Sequence, residues 1–154
     1  MKKELLSNTE GSTGEQFWLN IVDSALVSIT SEDPEHPIEN ALSPPFGRGW
    51  RAGTAGPQTI RLTFSEPIRV QKARLRFLEE VATRTQEFTL RCGTRCDDLH
   101  QVVRQQWNFS PAGSKCESED YALRCEGVTV VELEIVPDLN SDSAVATMQE
   151  FRLA

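Results

Sequence analysis

Gln58-Thr59-Ile60-Arg61-Leu62-Thr63-Phe64-Ser65-Glu66-Pro67 alternates Ile60, Leu62 and Phe64 with Arg61 and Thr63, and Ser65-Glu66-Pro67 then closes the run. Successive strand side chains point to opposite faces, so this period of two makes one dry face and one wet one. The same alternation returns downstream in Ala73, Leu75 and Phe77 against Arg74 and Arg76. It recurs in Phe88, Leu90 and Cys92 against Thr89 and Arg91, and in Tyr121, Leu123 and Cys125 against Ala122 and Arg124. Val128, Val130, Leu133 and Ile135 continue it with a break in phase at Val131, which predicts a bulge. Phe151-Arg152-Leu153 closes the chain, and Phe17 to Val22 and Ala25 to Ile29 are the earlier strand candidates. No helical stripe persists anywhere. About eight short strands with turn residues between them predict an all-β chain, an antiparallel β-sandwich of the jelly-roll type.

The 154 residues suit one domain, and 38% apolar, 7% aromatic and 25% charged residues are the mix of a folded globular chain. Residues 1–16 are polar and without period, which predicts a flexible tail ahead of a single sandwich domain over 17–154. Sixteen Lys and Arg against 23 Asp and Glu leave a net charge of −7, which argues against nucleic acid, whose binding draws on clustered cations. No stretch is apolar enough to span a bilayer. Met1-Lys2-Lys3-Glu4-Leu5-Leu6 lacks the apolar core of a signal peptide, so a cytoplasmic location is expected, and with it reduced thiols. Of the four cysteines, Cys92 and Cys125 fall in the apolar phase of their strands and read as small core residues. Cys96 and Cys116 fall in turns and stay unassigned.

Function on such a scaffold is expected in the longer non-periodic segments, 31–57, 78–86, 105–119 and 137–146. No Gly-x-Ser-x-Gly, His-Glu-x-x-His or phosphate-cradling loop is present, so no catalytic residue is named and a non-enzymatic role is expected. The cysteine spacings match no zinc pattern, and no metal ligand is named. Asp138-Leu139-Asn140-Ser141-Asp142 lacks the Gly and the distant Glu of a calcium loop and reads as a polar turn. His100 reads as a surface histidine, whereas His36, in Pro34-Glu35-His36-Pro37, lies in a candidate binding loop. Arg104-Gln105-Gln106-Trp107-Asn108-Phe109 places aromatics beside amides and an arginine, as a sugar or peptide ligand requires. Trp107 has two readings, an exposed platform or a plug in one end of the sandwich.

In order along the chain, Ser28-Ile29-Thr30-Ser31, Pro37-Ile38-Glu39-Asn40-Ala41-Leu42, Gly49-Trp50-Arg51-Ala52, the strand ending in Glu66-Pro67, Glu87 to Cys92, and Glu150-Phe151-Arg152-Leu153 form a set of landmarks. Together they resemble the discoidin or coagulation-factor type C domains and the galactose-binding-like jelly rolls that include family 32 carbohydrate-binding modules. The resemblance implies a galactose-binding-like sandwich whose loop end takes a carbohydrate or similar polyhydroxylated ligand. It also implies that Trp50 packs under the long loop and anchors it. By loop position the ligand-binding candidates are His36, Arg84, Arg104, Trp107 and Asn108. Many members hold a structural calcium with an Asp after Asn-Ala-Leu and a Glu near the C-terminus. Here Ser43-Pro44-Pro45 stands in place of that Asp-Gly, which removes a hard anionic ligand, so no cofactor is expected although Glu150 is at the matching place. Related domains also bind proteins, and the alternative is a cytoplasmic interaction or assembly module with the same fold.

Overall fold

In the computed structural model, which describes residues 17–154, the elements follow in the order α1 (Ile21–Ser24), β1 (Ala25–Ile29), α2 (Glu39–Leu42), β2 (Trp50–Arg51), β3 (Gln58–Leu78), β4 (Arg84–Gly93), β5 (Leu99–Phe109), β6 (Cys116–Val136), β7 (Thr147–Met148) and β8 (Glu150–Leu153). The expected tail over 1–16 lies outside the described residues. The run that ends at Phe64 does not stop at Pro67: β3 is one strand of 21 residues, and so is β6 beside it. The pair bends at a corner where the register slips between Thr63 and Ile68, then twice more before Lys72. Pro67 sits at the first slip, where a residue without an N–H costs no ladder bond. Gly127, across the corner on β6, has φ +64°, a conformation that glycine adopts freely. Through the slips the buried phase changes from Ile60, Leu62 and Phe64 to Ala73, Leu75 and Phe77.

The bend makes the sandwich. The first half of β3 pairs with β1 and with the second half of β6; β6 pairs in turn with β4, and β4 with β5. Its second half pairs with the first half of β6 and with β8. All these pairings are antiparallel, and β2 and β7 form a separate two-stranded ribbon. Phe77 of the second layer stacks on Phe88 of the first with ring centroids 5.5 Å apart, and Tyr121 meets Phe88 edge-on at 5.8 Å. Ile60, Leu62, Leu75, Phe77, Leu90, Leu133, Ile135, Phe151 and Leu153 fill the space between, none more than 1% exposed.

Several segments differ from the sequence reading. Phe17 to Val22 is not a strand, because Asn20 caps α1 and accepts a hydrogen bond from the Asp23 amide. Arg84 to Gln86 and Gln105 to Phe109, read as loop, continue β4 and β5. Val131 marks no bulge. Residues 130 to 135 stay in unbroken register with β3, and Val130 and Val131 are both buried because β6 is a central strand.

Cys92 and Cys125 are buried thiols, and burial with Cys125 alongside pushes the Cys92 thiol up to about 12. His100 is exposed, its Nε2 3.6 Å from Cys92 Sγ. Asp138 Oδ1 accepts from the Asn140 amide, which makes the polar turn expected there. Among the described residues no helix is long and apolar enough to cross a membrane.

Candidate functional site

At the end of the sandwich where β3 finishes, three segments are brought together by two buried anchors. The first is Trp50, 1% exposed, whose indole Nε1 donates to the Ser31 carbonyl at 3.2 Å. Ser31 is itself a hub: its hydroxyl donates to Gln58 Oε1 at 2.7 Å and accepts from the amides of Gly53 and Thr54. Gly49 lets this loop approach β7, since with φ +66° a Cβ there would lie 2.8 Å from the Met148 carbonyl oxygen. Trp50 therefore lies beneath the long loop and anchors it, as the resemblance implies.

The second anchor is Arg84. Its side chain is 1% exposed, with Nε donating to Glu79 Oε1 at 2.7 Å. Its Nη1 donates to Gln86 Oε1 at 2.9 Å and to the Pro137 carbonyl at 2.8 Å, and the guanidinium lies over the Phe109 ring at 4.8 Å. Glu79 in turn accepts from the amides of Val81 and Ala82, both at 3.0 Å. Burial alone would raise Glu79, but the Arg84 guanidinium and these two amides overcome it and hold the carboxyl below its ordinary value.

Between the anchored loops lies a groove of about 190 Å³ whose walls include His36, Arg48, Arg51, Val81, Met148 and Gln149. Polar ends surround an apolar strip, the arrangement of a small-molecule site. The His36 backbone is fixed by exchange with its neighbours: the Arg51 amide donates to the His36 carbonyl at 3.1 Å and the Asp33 amide to that of Arg51 at 2.8 Å. The His36 Nδ1 faces Asp33 Oδ2 at 3.6 Å, beyond hydrogen-bond length, and is buried without a partner. Gln149 ties the Phe46 loop to β7 by donating from Nε2 to the carbonyls of Phe46 and Gly47.

Of the five residues expected to bind ligand, His36 lines this groove and Arg84 lies behind its wall, clamping Glu79 rather than facing the opening. Arg104, Trp107 and Asn108 do not line it. Arg104 is on the outer face of the β4–β5 pair, bonded to Glu87 at 3.0 and 3.2 Å, and Asn108 accepts from the Thr85 hydroxyl at 2.8 Å. Trp107 points to the inner face, opposite Gln86, and packs against the core, which is the plug reading. Arg48, Arg51, Glu79, Val81 and Gln149 line the groove and are not among the five. Their signal was available in part, because Arg48 and Arg51 flank the Trp50 landmark and 78–86 is a long irregular segment.

Gln86 Nε2, Trp107 Nε1 and Glu117 Oε1 are buried without partners among the described residues. Glu117 is 5% exposed, and burial first, with Glu119 adding repulsion, pushes its carboxyl from 4.5 to about 7. The native state then holds this proton more tightly than the unfolded chain. Its contribution is full below the unfolded value and is lost as pH rises through about 7, a change of roughly 3 kcal/mol. Denaturant melts at about pH 5 and about pH 8 should show that loss in the native protein and its absence in Glu117→Gln. An identical pH slope in both would place the titration elsewhere.

The calcium of the resemblance does not fit these residues. Glu150 Oε2 lies 3.9 Å from Arg152 Nη1, and Ser43-Pro44-Pro45 supplies no carboxylate. Among the described residues no group of three or more His, Cys, Asp or Glu is placed to hold a metal ion.

No family model matches the chain, and no curated protein does. Solved structures do. CpGH89CBM32-5 from Clostridium perfringens, in complex with GalNAc-β-1,3-galactose, is similar with a TM-score of 0.65 at 14% identity over 89% of this chain and 99% of that one. CpGH89CBM32-4 from Clostridium perfringens, in complex with GlcNAc-α-1,4-galactose, gives 0.63 at 17% identity over 93% and 99%. The CBM32 of AlyQ in complex with 4,5-unsaturated mannuronic acid gives 0.59 at 18% identity over 90% and 98%. At these identities the likeness is one of fold: the chain shares the antiparallel β-sandwich of these modules, the jelly roll that the resemblance implies.

Proposed function

We propose that this jelly roll is a non-catalytic carbohydrate-binding domain that takes a saccharide in the loop-end groove. The observation that carries the reading is the groove itself, in which His36, Arg48, Arg51 and Gln149 surround Leu78, Val81 and Met148 on loops held by Trp50 and Arg84. Hydroxyl-rich ligands need donors and acceptors at fixed positions beside an apolar strip, and this lining supplies both. The structures of the same fold described above were solved with sugars, which supports a saccharide over other small molecules.

Calorimetric titration of the folded chain against a panel of mono- and oligosaccharides tests this. His36→Ala should weaken binding about tenfold, the loss of one buried polar contact, while stability stays within about 1 kcal/mol. Absence of binding to every saccharide at millimolar concentration would sink the reading.

A further inference from the structure

The groove carries an uneven charge that the protein as a whole does not predict. The net charge is −7, yet two guanidinium groups, Arg48 and Arg51, stand on one wall of the groove. Arg51 is exposed and makes no ion pair among the described residues. Among the described residues Arg48 reaches only Glu35, at 4.0 Å, and the two side chains are 65% and 80% exposed, a pair that water leaves nearly worthless. The carboxylate across the groove cannot serve them, because Glu79 is already bonded to Arg84 and to two amides. Only Glu80, exposed at the rim, remains as an uncommitted anion among the lining residues, one charge against two.

The two arginines flank the buried Trp50 ring, and the Arg51 backbone is held by amide and carbonyl bonds to Asp33 and His36. A guanidinium offers parallel N–H donors that match the two oxygens of a carboxylate or sulfate, and such charge-assisted pairs are about twice as strong as neutral ones. A neutral sugar could use their N–H groups only as ordinary donors and would gain nothing from the charge.

Resting on the carbohydrate reading of this groove, we infer that its ligand is an acidic saccharide whose carboxylate or sulfate is held by Arg48 and Arg51. The test uses matched probes on the full chain: an oligogalacturonate against its neutral methyl ester, and a sulfated oligosaccharide against its desulfated form, by calorimetry. The acidic member of at least one pair should bind about tenfold tighter than its neutral partner, and that advantage should shrink as salt screens the charges. Which pair shows the advantage identifies carboxylate or sulfate as the group recognised. Arg48→Gln with Arg51→Gln should erase the ratio between the acidic and neutral members of the pair and leave the melting midpoint unchanged, since both side chains are solvated. Equal affinity within both pairs overturns the inference and leaves the carbohydrate reading standing, as does an acidic preference that survives in the double variant. No binding to any probe, acidic or neutral, overturns both.

Discussion

Arg84→Ala should destabilise the domain by about 3–5 kcal/mol, because truncating one partner of a buried ion pair leaves the other charge uncompensated. The Glu79 side chain, 12% exposed, would lose its guanidinium while staying fixed by the amides of Val81 and Ala82. The Pro137 carbonyl and Gln86 Oε1 would each lose a donor as well. Glu79→Gln should cost less, about 1–3 kcal/mol, because the amide can still accept from those backbone groups and Arg84 keeps its bonds to Gln86 and Pro137. The order of the two variants in a denaturant melt checks the account, and an Arg84→Ala protein as stable as the native one would show that the clamp contributes nothing. The clamp bears on function because Glu79 to Val81 form one wall of the groove, so a surviving Arg84→Ala protein should also bind saccharide more weakly.

The second large effect belongs to Trp50. Removing a side chain that is 1% exposed leaves a cavity beneath the loop, and Trp50→Ala should cost about 3–5 kcal/mol. Part of that is the bond from Nε1 to the Ser31 carbonyl, which Trp50→Phe isolates: the ring is largely kept, the donor is lost, and about 1 kcal/mol is expected. Trp50→Ala should also loosen Arg48 and Arg51, so any binding it retains should have lost discrimination between acidic and neutral saccharides. An unchanged melting midpoint for Trp50→Ala would mean that the loop is anchored by other contacts.

The strands were legible because the alternation of Ile60, Leu62 and Phe64, and of Phe88, Leu90 and Cys92, is a direct record of which face is dry. The joining of short runs into two bent strands was not, since Ser65-Glu66-Pro67 has the composition of a turn whether the chain reverses or only slips register. The candidate site was legible in part for a related reason. His36 could be found from its loop and Trp50 from its motif, but the groove is made by segments that meet only after folding. Arg84 resembled a ligand contact in sequence, and only the position of Glu79 and Phe109 turns it inward as a clamp. Trp107 and Arg104 are three residues apart on β5, on opposite faces of the strand, so one segment that reads as a single site divides between the core and the outer face of the sheet.

The central claim is that the loop-end groove holds a saccharide, and the most direct measurement is amide chemical-shift mapping of the labelled protein during titration with the tightest-binding oligosaccharide. The account predicts that the perturbed amides gather at His36, Arg48 to Arg51, Glu79 to Val81 and Thr147 to Gln149, on the three anchored segments. Perturbations confined to Arg104, Asn108 and the outer face of β4 and β5, with the groove silent, would contradict it.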